Sequence, residues 1–173
     1  VYVDESPNNT IIRNMIGGIE GVRVGEYGIV VSFSSNTNVI ENIVVTNYKD
    51  GIWLEHSSNT SLTQNIITTS REGIRIDYSS DNFISKNVIT LNRDYGIHVF
   101  GHLSHDNTII QNIITNTSEN LLHSGPGIAI SDSYFNRIMQ NTLANNFYGL
   151  QLFNSVGNLI SENNITNNRY GIQ

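Results

Sequence analysis

Residues 149–170 read Gly-Leu-Gln-Leu-Phe-Asn-Ser-Val-Gly-Asn-Leu-Ile-Ser-Glu-Asn-Asn-Ile-Thr-Asn-Asn-Arg-Tyr and are followed by a Gly-Ile pair. Such Gly-Ile or Gly-Leu pairs recur along the chain with spacings of 23, 22, 23, 31, 22 and 22 residues. Their glycines are Gly28, Gly51, Gly73, Gly96, Gly127, Gly149 and Gly171. A fixed period of this length indicates a repeat architecture, in which each unit stacks on the next.

An Asn forms a second marker, 14 residues after the Gly in most units and 16 residues after Gly96. Apolar residues stand three before and two after this Asn, and they also stand one and three after the Gly of each complete unit. This alternation over short stretches is the period of a β-strand and not of a helix. The sequence therefore predicts units of two or three short strands joined by corners.

A unit of 22 residues cannot bury its apolar side alone, but it can coil once and stack on its neighbour. We therefore expect an all-β fold, a solenoid of parallel β-strands with about seven coils. Asn suits the corners, because it tolerates left-handed backbone and its amide binds neighbouring backbone groups. The 26 Asn of the chain are accordingly interpreted as structural, with equivalent amides bonded into a ladder from coil to coil.

The composition excludes several classes of protein. The chain has 173 residues, 38% hydrophobic and 14% charged, without Cys, which is typical of a folded domain and not of a disordered segment. A net charge of −6 with scattered Arg residues offers no surface for a phosphate backbone, so nucleic acid is not an expected partner. No apolar run is long enough for a membrane span, and the first residues lack the pattern of a signal peptide. We predict no cofactor.

The whole chain, residues 1–173, is expected to form one β-helix repeat domain. Loops are predicted near 17–27, where Gly is frequent, and near 100–126, where one coil is longer than the others. The chain begins and ends in core strands without a polar cap. We interpret it as a segment of a longer array, with end-to-end self-association into a filament as the alternative.

One side of this rod is expected to carry any functional residues. Positions two and four residues after the Gly face outward, and in the middle coils they hold Trp53, Glu55, Arg75, Asp77 and His98. Asp50, Glu72, Tyr95 and Phe100 join the same side. An aromatic ring beside hydrogen-bonding acids is typical of sugar binding, and paired carboxylates can also catalyse glycoside hydrolysis. The alternative interpretation is an exposed, solvated charge network.

Glu55 and Asp77 occupy equivalent positions of adjacent coils. Two stacked carboxylates repel each other, so we expect one pKa to rise, or a cation such as Arg75 to neutralise the pair.

Four of the five His residues fall in the long coil, at His98, His102, His105 and His123. Imidazole is a common ligand of Zn²⁺ and Cu²⁺. The spacing of His98, His102 and His105 matches no familiar ligand motif, however, and the sequence leaves metal binding undecided.

The repeat resembles that of the NosD-like, pectin-lyase-like superfamily of parallel β-helix proteins, in the form found in surface proteins of archaea and bacteria. The resemblance covers essentially the whole chain. It implies a right-handed, single-stranded parallel β-helix and an extracellular or cell-surface location, with the periplasm as the alternative. It implies no single function, because the same coil serves polysaccharide lyases, hydrolases, uronate epimerases, accessory proteins of copper-enzyme maturation and surface stalks.

The favoured function is a structural or adhesive domain without catalysis, which binds a polysaccharide or cell-surface glycan along Trp53, Glu55, Arg75, Asp77 and His98. A polysaccharide-active lyase, hydrolase or uronate epimerase using the same residues is the first alternative. A periplasmic metal-handling accessory protein using the His-bearing loop is the second. The chain lacks both the acid quartet of the polysaccharide-cleaving families and the Asp-Pro-His-Asp string of alginate-type epimerases.

Overall fold

The computed structural model describes residues 1–17, 26–117 and 125–173. In these ranges the chain forms short strands, numbered here in chain order, which lie in three sheets and leave no residue in a helix. The first sheet contains β1 (Tyr2–Asp4), β4 (Ile29–Ser32), β7 (Asp50–Glu55), β10 (Glu72–Asp77), β13 (Tyr95–Phe100), β16 (Pro126–Ser131), β19 (Tyr148–Phe153) and β22 (Tyr170–Ile172).

The second and third sheets have seven strands each. The second contains β2 (Thr10–Ile12), β5 (Asn38–Ile40), β8 (Ser61–Thr63), β11 (Phe83–Ser85), β14 (Thr108–Ile110), β17 (Arg137–Met139) and β20 (Leu159–Ser161). The third contains β3 (Met15–Gly17), β6 (Ile43–Val45), β9 (Ile66–Thr68), β12 (Val88–Thr90), β15 (Ile113–Thr115), β18 (Thr142–Ala144) and β21 (Asn164–Thr166).

Every strand pairs in parallel with its equivalent one coil away. Between β7 and β10, for example, Ile52 lies opposite Ile74 and Leu54 opposite Ile76. Each sheet thus takes one strand from each coil, and the predicted parallel β-helix is confirmed.

The interior is one continuous column of aliphatic side chains. Ile52, Ile74 and Ile97 of successive coils have no solvent exposure, and the equivalent positions of the other sheets join the same core. Burying one such side chain contributes about 1.5–3 kcal/mol. The repeated Ile and Val positions therefore account for the stacking of the coils.

The repeat Gly is required by the close approach of neighbouring coils. A Cβ atom at Gly73 would lie 2.5 Å from the carbonyl oxygen of Gly96 and 2.5 Å from Ile89 Cγ2. Since real Cβ atoms do not come so close to other heavy atoms, any larger residue would push two coils apart. The Gly period is therefore a packing requirement of the fold.

The marker Asn residues form the expected ladder at the corner between the second and third sheets. Asn42 Nδ2 donates to Asn65 Oδ1 at 3.1 Å, and the bonds continue at 3.0 Å to Asn87 and 2.9 Å to Asn112. The same amides donate to backbone carbonyls, as Asn87 Nδ2 does to Leu62 O at 2.9 Å. These bonds satisfy buried polar groups at a place where the sheet hydrogen bonds are interrupted.

Left-handed backbone falls one residue before the ladder Asn, with φ of +53° at Glu41, +58° at Gln64 and +55° at Lys86. Asn36 and Asn59, by contrast, adopt φ of +58° and +53° themselves at the preceding corner. At both corners the two uses fall on adjacent positions, since a left-handed residue such as Asp81, with φ of +57°, is followed directly by an Asn whose amide bonds to the next coil, as Asn82 Nδ2 does to Asn107 Oδ1 at 3.0 Å.

The two predicted loops fall partly on residues 18–25 and 118–124, which lie outside the described ranges. The two extra residues of the long coil before Asn112 are accommodated at 101–103, where Gly101 has φ of +93°. Ser104 then resumes the regular corner and accepts a hydrogen bond from the Ser79 backbone at 3.2 Å. Across the described ranges we find no helix with the length and apolar character of a membrane span.

Candidate functional site

All five residues predicted to bind carbohydrate lie on the outer face of β7, β10 and β13, which we call the strip. In-register pairing places Trp53, Arg75 and His98 side by side in a central row. An upstream row contains Asp50, Glu72 and Tyr95, and a downstream row contains Glu55, Asp77 and Phe100. Because neighbouring strands are about 4.8 Å apart, equivalent side chains of the three coils are in contact distance.

Trp53 is held on both sides. Its ring stacks on Tyr27 of the preceding coil, with centroids 5.2 Å apart, and the Arg75 guanidinium of the following coil lies 5.8 Å from the ring centroid. The indole Nε1 donates to Asp77 Oδ2 at 3.2 Å. The ring is therefore rigid, and it offers solvent its edge more than a free face.

Arg75 is the central cation of the strip. Its Nε donates to Asp77 Oδ2 at 2.7 Å, and its Nη1 lies 3.9 Å from Glu72 Oε1. Burial raises the pKa of Asp77, although the charge and hydrogen bond of Arg75 and the bond from Trp53 act in the opposite direction. The expected neutralisation of the stacked acids by Arg75 is thus present at Asp77.

Glu55 has fewer and longer hydrogen bonds than its neighbour Asp77. Its Oε2 accepts a hydrogen bond from Ser32 Oγ at 3.4 Å, and its side chain is partly exposed. Within the described ranges it forms no ion pair. Glu55 therefore remains available to a ligand at the surface.

Glu72 and His98 form a second anchored pair. His98 Nδ1 lies 3.2 Å from Glu72 Oε2, and Glu72 is almost completely buried. Since a carboxylate only accepts, Nδ1 carries the proton in this contact and Nε2 is left for other partners. The His98 ring also stacks on Tyr95 with centroids 4.3 Å apart, and burial raises the pKa of Tyr95.

Asp50 is the most strongly perturbed acid of the strip. Only 2% of its surface is exposed. Burial, followed by the charge of Glu72, raises the pKa of Asp50 to about 7. Its Oδ1 has no hydrogen-bond partner among the described residues, and the same is true of Asp77 Oδ1. The strip thus contains two buried carboxylate oxygens without a donor.

An aromatic stack next to the downstream row was missed by sequence reasoning. Phe33 and His56 stack with centroids 4.7 Å apart, and His56 and Tyr78 with centroids 5.1 Å apart. The three residues stand five positions after Gly28, Gly51 and Gly73. Reading that column of the repeat would have revealed the stack, which borders the strip at the corner following the first sheet.

The His residues of the long coil do not converge. His98 binds Glu72, His105 Nδ1 lies 2.9 Å from Asp106 Oδ2, and His102 packs edge-on against Tyr78 with centroids 6.3 Å apart. In the parts of the chain that the structure describes, no three His, Asp or Glu side chains are arranged to hold a metal ion. His123 lies outside those parts.

The chain is thus a parallel β-helix with a polar and aromatic strip on its outer surface, and several solved structures are similar to it. A double mutant of the periplasmic alginate epimerase AlgG aligns with a TM-score of 0.78 and 22% identity over 91% of this chain and 36% of the epimerase. The A-module of the Azotobacter vinelandii mannuronan C-5 epimerase AlgE4 aligns with a TM-score of 0.68 and 16% identity, over 95% of this chain and 55% of the module.

A third similar structure is the enzymatically active domain of tailspike protein 2 from bacteriophage CBA120, with a TM-score of 0.74 and 16% identity over 90% of this chain and 24% of the tailspike. At such identities the similarity shows the fold alone. The chain spans about a third of the length of the AlgG structure. No protein of curated function gave a significant match to the sequence.

The family model described as "Periplasmic copper-binding protein (NosD)" matches residues 8–173, and the chain belongs to this family. The resemblance seen in the repeat is therefore confirmed. The family and the AlgG epimerase are both described as periplasmic, which agrees with the predicted location outside the cytoplasm. The cell surface in particular stays a prediction.

The described residues do not fit the copper named in the family description. Copper prefers thiolate, thioether and imidazole ligands, and the chain has no Cys. Met15 and Met139 lie in different sheets, and the imidazoles of His98, His102 and His105 are separated by the contacts given above. We therefore assign no copper site to the described residues.

Proposed function

We propose that the strip binds a polysaccharide or cell-surface glycan, and that the domain acts outside the cytoplasm in a structural or adhesive role without catalysis. The observation that carries this proposal is the central row, in which Trp53, Arg75 and His98 lie on three consecutive rungs and each contacts a buried carboxylate. A glycan lying along the rod axis would meet these groups in succession.

Rigidity supports binding along the strip. Side chains that are ordered before a ligand arrives lose little conformational entropy on binding, so more of the contact energy appears as affinity. Glu72 and Asp77 hold the three residues of the central row. The partly exposed groups of the strip are then hydrogen-bond acceptors at Glu55 and His98 Nε2, donors at Arg75, and the ring edges of Trp53 and Tyr95.

The fold neighbours support a glycan as the ligand class. Two of the three similar structures are of an alginate epimerase and a mannuronan C-5 epimerase. This chain shares their fold, and its departures from the Ser, Thr and Asn background gather on one face. The proposal therefore combines a carbohydrate-associated fold with a strip of suitable chemistry.

The test is a glycan array probed with the 173-residue chain, followed by titration of the best ligand. We expect binding that His98→Gln weakens about tenfold, a loss of one good hydrogen bond to a charged or polar sugar group. The matched control is Gln151→Ala, which changes the same repeat position in β19 and should leave affinity unchanged. Absence of binding to any glycan, or equal weakening by both variants, would overturn the proposal.

A polysaccharide-active enzyme is the second candidate, and the His98–Glu72 pair favours it. A buried carboxylate that orients an imidazole through Nδ1, leaving Nε2 for substrate, is a common arrangement of a general base. Reducing-end and unsaturated-product assays on the bound glycan would distinguish the candidates. Turnover that is abolished by both His98→Ala and Asp77→Ala supports the enzyme, whereas binding without turnover supports the non-catalytic role.

A further inference from the structure

Acidic groups outnumber cations on the strip. Asp50, Glu55, Glu72 and Asp77 lie in its upstream and downstream rows, and Arg75 is the cation of its central row. Arg71 also approaches Glu72, at 3.9 Å, but its Nε is bound to Asp94 at 2.7 Å. The local charge is therefore negative when these carboxyl groups are ionised.

Arg75 is already committed to the protein's own acids. Its contacts with Asp77 at 2.7 Å and with Glu72 at 3.9 Å neutralise its charge from two sides. A sugar carboxylate that approached Arg75 would have to compete with these acids and would also face Glu55. Like charges placed together in a partly buried site cost free energy, so the strip disfavours a uronate.

Two carboxyl groups of the strip are incompletely satisfied by the described residues. Only 4% of the surface of Asp77 is exposed. Its Oδ2 accepts hydrogen bonds from Trp53 and Arg75, whereas its Oδ1 has no hydrogen-bond partner among the described residues. Glu55, its neighbour in register, has only the 3.4 Å contact with Ser32. Buried acceptors without donors are rare in proteins.

We propose that the glycan bound by the strip carries free primary amines, so that the ligand class is an amino sugar polymer and not a uronate, with Glu55 as the surface anchor of the ammonium group. This inference rests on the function proposed above and names its ligand. An ammonium group has three donors and one positive charge. It supplies the charge and the donors that the partly exposed Glu55 lacks, and it adds positive charge beside the buried Asp77.

A metal ion is a weaker explanation of the same imbalance. Metal sites in proteins need several ligating side chains that converge on one point. The described residues contain no such group of three, because Glu72, Asp77 and His98 are each turned toward a protein partner. An ammonium group on a sugar ring, by contrast, needs only one carboxylate as a direct partner and is further favoured by the negative charge of the neighbouring acids.

The test compares three tetrasaccharides by calorimetric titration of the 173-residue chain: β-1,4-linked glucosamine, its fully N-acetylated form and mannuronate. We expect the glucosamine form to bind about tenfold more tightly than the acetylated form, with an affinity that falls as salt is raised, because charge pairs at a surface are screened. Glu55→Gln should remove most of this preference. Glu162→Gln, the same change at an exposed residue outside the first sheet, is the control and should keep it.

The outcomes separate this inference from the function on which it rests. Binding of the acetylated or mannuronate form as tightly as the glucosamine form overturns the amino sugar inference but leaves glycan binding in place. Failure of all three, together with an empty glycan array, overturns both. A spermidine control shows whether the amine alone suffices, and equal affinity for spermidine would overturn recognition of the sugar. Melting curves of both variants check that they remain folded.

Discussion

The strands β10 and β19 are the same repeat unit used in two ways. Their inward residues correspond, with Ile74 and Ile76 in β10 matched by Leu150 and Leu152 in β19. Their outward residues do not, because Arg75 and Asp77 of β10 are replaced by Gln151 and Phe153 in β19. Both strands pair in parallel and in register with their neighbours. The coil therefore forms without the charged groups of the strip.

This difference shows that the buried acids are not required by the fold. Burying a carboxyl group costs free energy unless it is well paired. Asp50, Glu72 and Asp77 are all nearly buried, and two of them have an oxygen without a partner among the described residues. A group of buried acids on one face, in which the pKa of both Asp50 and Asp77 is raised by burial, is absent from the equivalent strand three coils on, and this is the pattern expected of a binding or catalytic site.

The largest effect is expected from the inward residues that both strands share. Ile74→Ala should lower the free energy of unfolding by about 2–5 kcal/mol, since it removes a buried side chain and leaves a cavity. Leu150→Ala should cost a similar amount. Urea denaturation of both variants checks this, and a loss below about 1 kcal/mol at either position would show that the coils are not packed as described.

The next effect should separate the two outward surfaces. Arg75→Ala leaves the buried Glu72 and Asp77 without their shared cation, and should destabilise the chain by about 2–4 kcal/mol. Gln151→Ala, at the equivalent position, should change stability by less than about 0.5 kcal/mol. Thermal melts of the two variants measure the contrast. Equal shifts would mean that the ion pairs of the strip contribute nothing to stability.

A smaller effect tests the close approach of the coils. Gly73→Ala places a Cβ 2.5 Å from the Gly96 carbonyl oxygen and should cost about 1–3 kcal/mol through displaced backbone. At Gly171 a Cβ would meet nothing within 4 Å, so Gly171→Ala serves as the control. Chemical denaturation should show a loss for the first variant alone, and a stable Gly73→Ala chain would contradict the packing explanation of the Gly period.

The last predicted effect depends on pH. The pKa of Asp50 is raised from 3.8 to about 7 in the folded chain, so the folded state binds the proton more tightly than the unfolded state. The contribution of Asp50 to the free energy of unfolding should therefore be most favourable below about pH 4, decrease as the pH rises, and be least favourable above about pH 7.

Asp50→Asn removes that charge. We expect it to raise the free energy of unfolding by about 3–4 kcal/mol at pH 8 and to have little effect at pH 4, where wild-type Asp50 is protonated in the folded state. Melting temperatures of both chains across this range provide the measurement. A variant that is less stable than wild type at pH 8 would show that ionised Asp50 has a stabilising partner.

Much of the fold could be predicted because the same pattern of Gly, aliphatic residues and Asn recurs in successive coils. The Gly period, the inward Ile and Val columns and the Asn marker all proved to occupy the expected places, and Asn42, Asn65 and Asn87 are bonded as a ladder. The five candidate site residues were also placed on one face, because counting from the Gly sets the register of β7, β10 and β13.

The details of the site could not be predicted from spacing. Sequence alone did not show that Tyr27 and Arg75 flank the Trp53 ring, or that His98 turns toward Glu72 one coil away. Side-chain direction within a row depends on which neighbours are present in the adjacent coils, and those neighbours are more than twenty residues distant along the chain.

The class of fold, the register of the coils and the face on which unusual residues gather could all be read from the amino-acid sequence, because each of these follows from a local period that repeats. The sharing of charge on that face depends on three-dimensional packing and was visible only in the folded chain. Arg75 is bound between Asp77 and Glu72, while Glu55 and one oxygen of Asp77 remain without an equivalent partner among the described residues. The free energy of a charge depends on its burial and on the groups around it in three dimensions, so spacing along the chain could not show which carboxyl group of the strip is left without a partner.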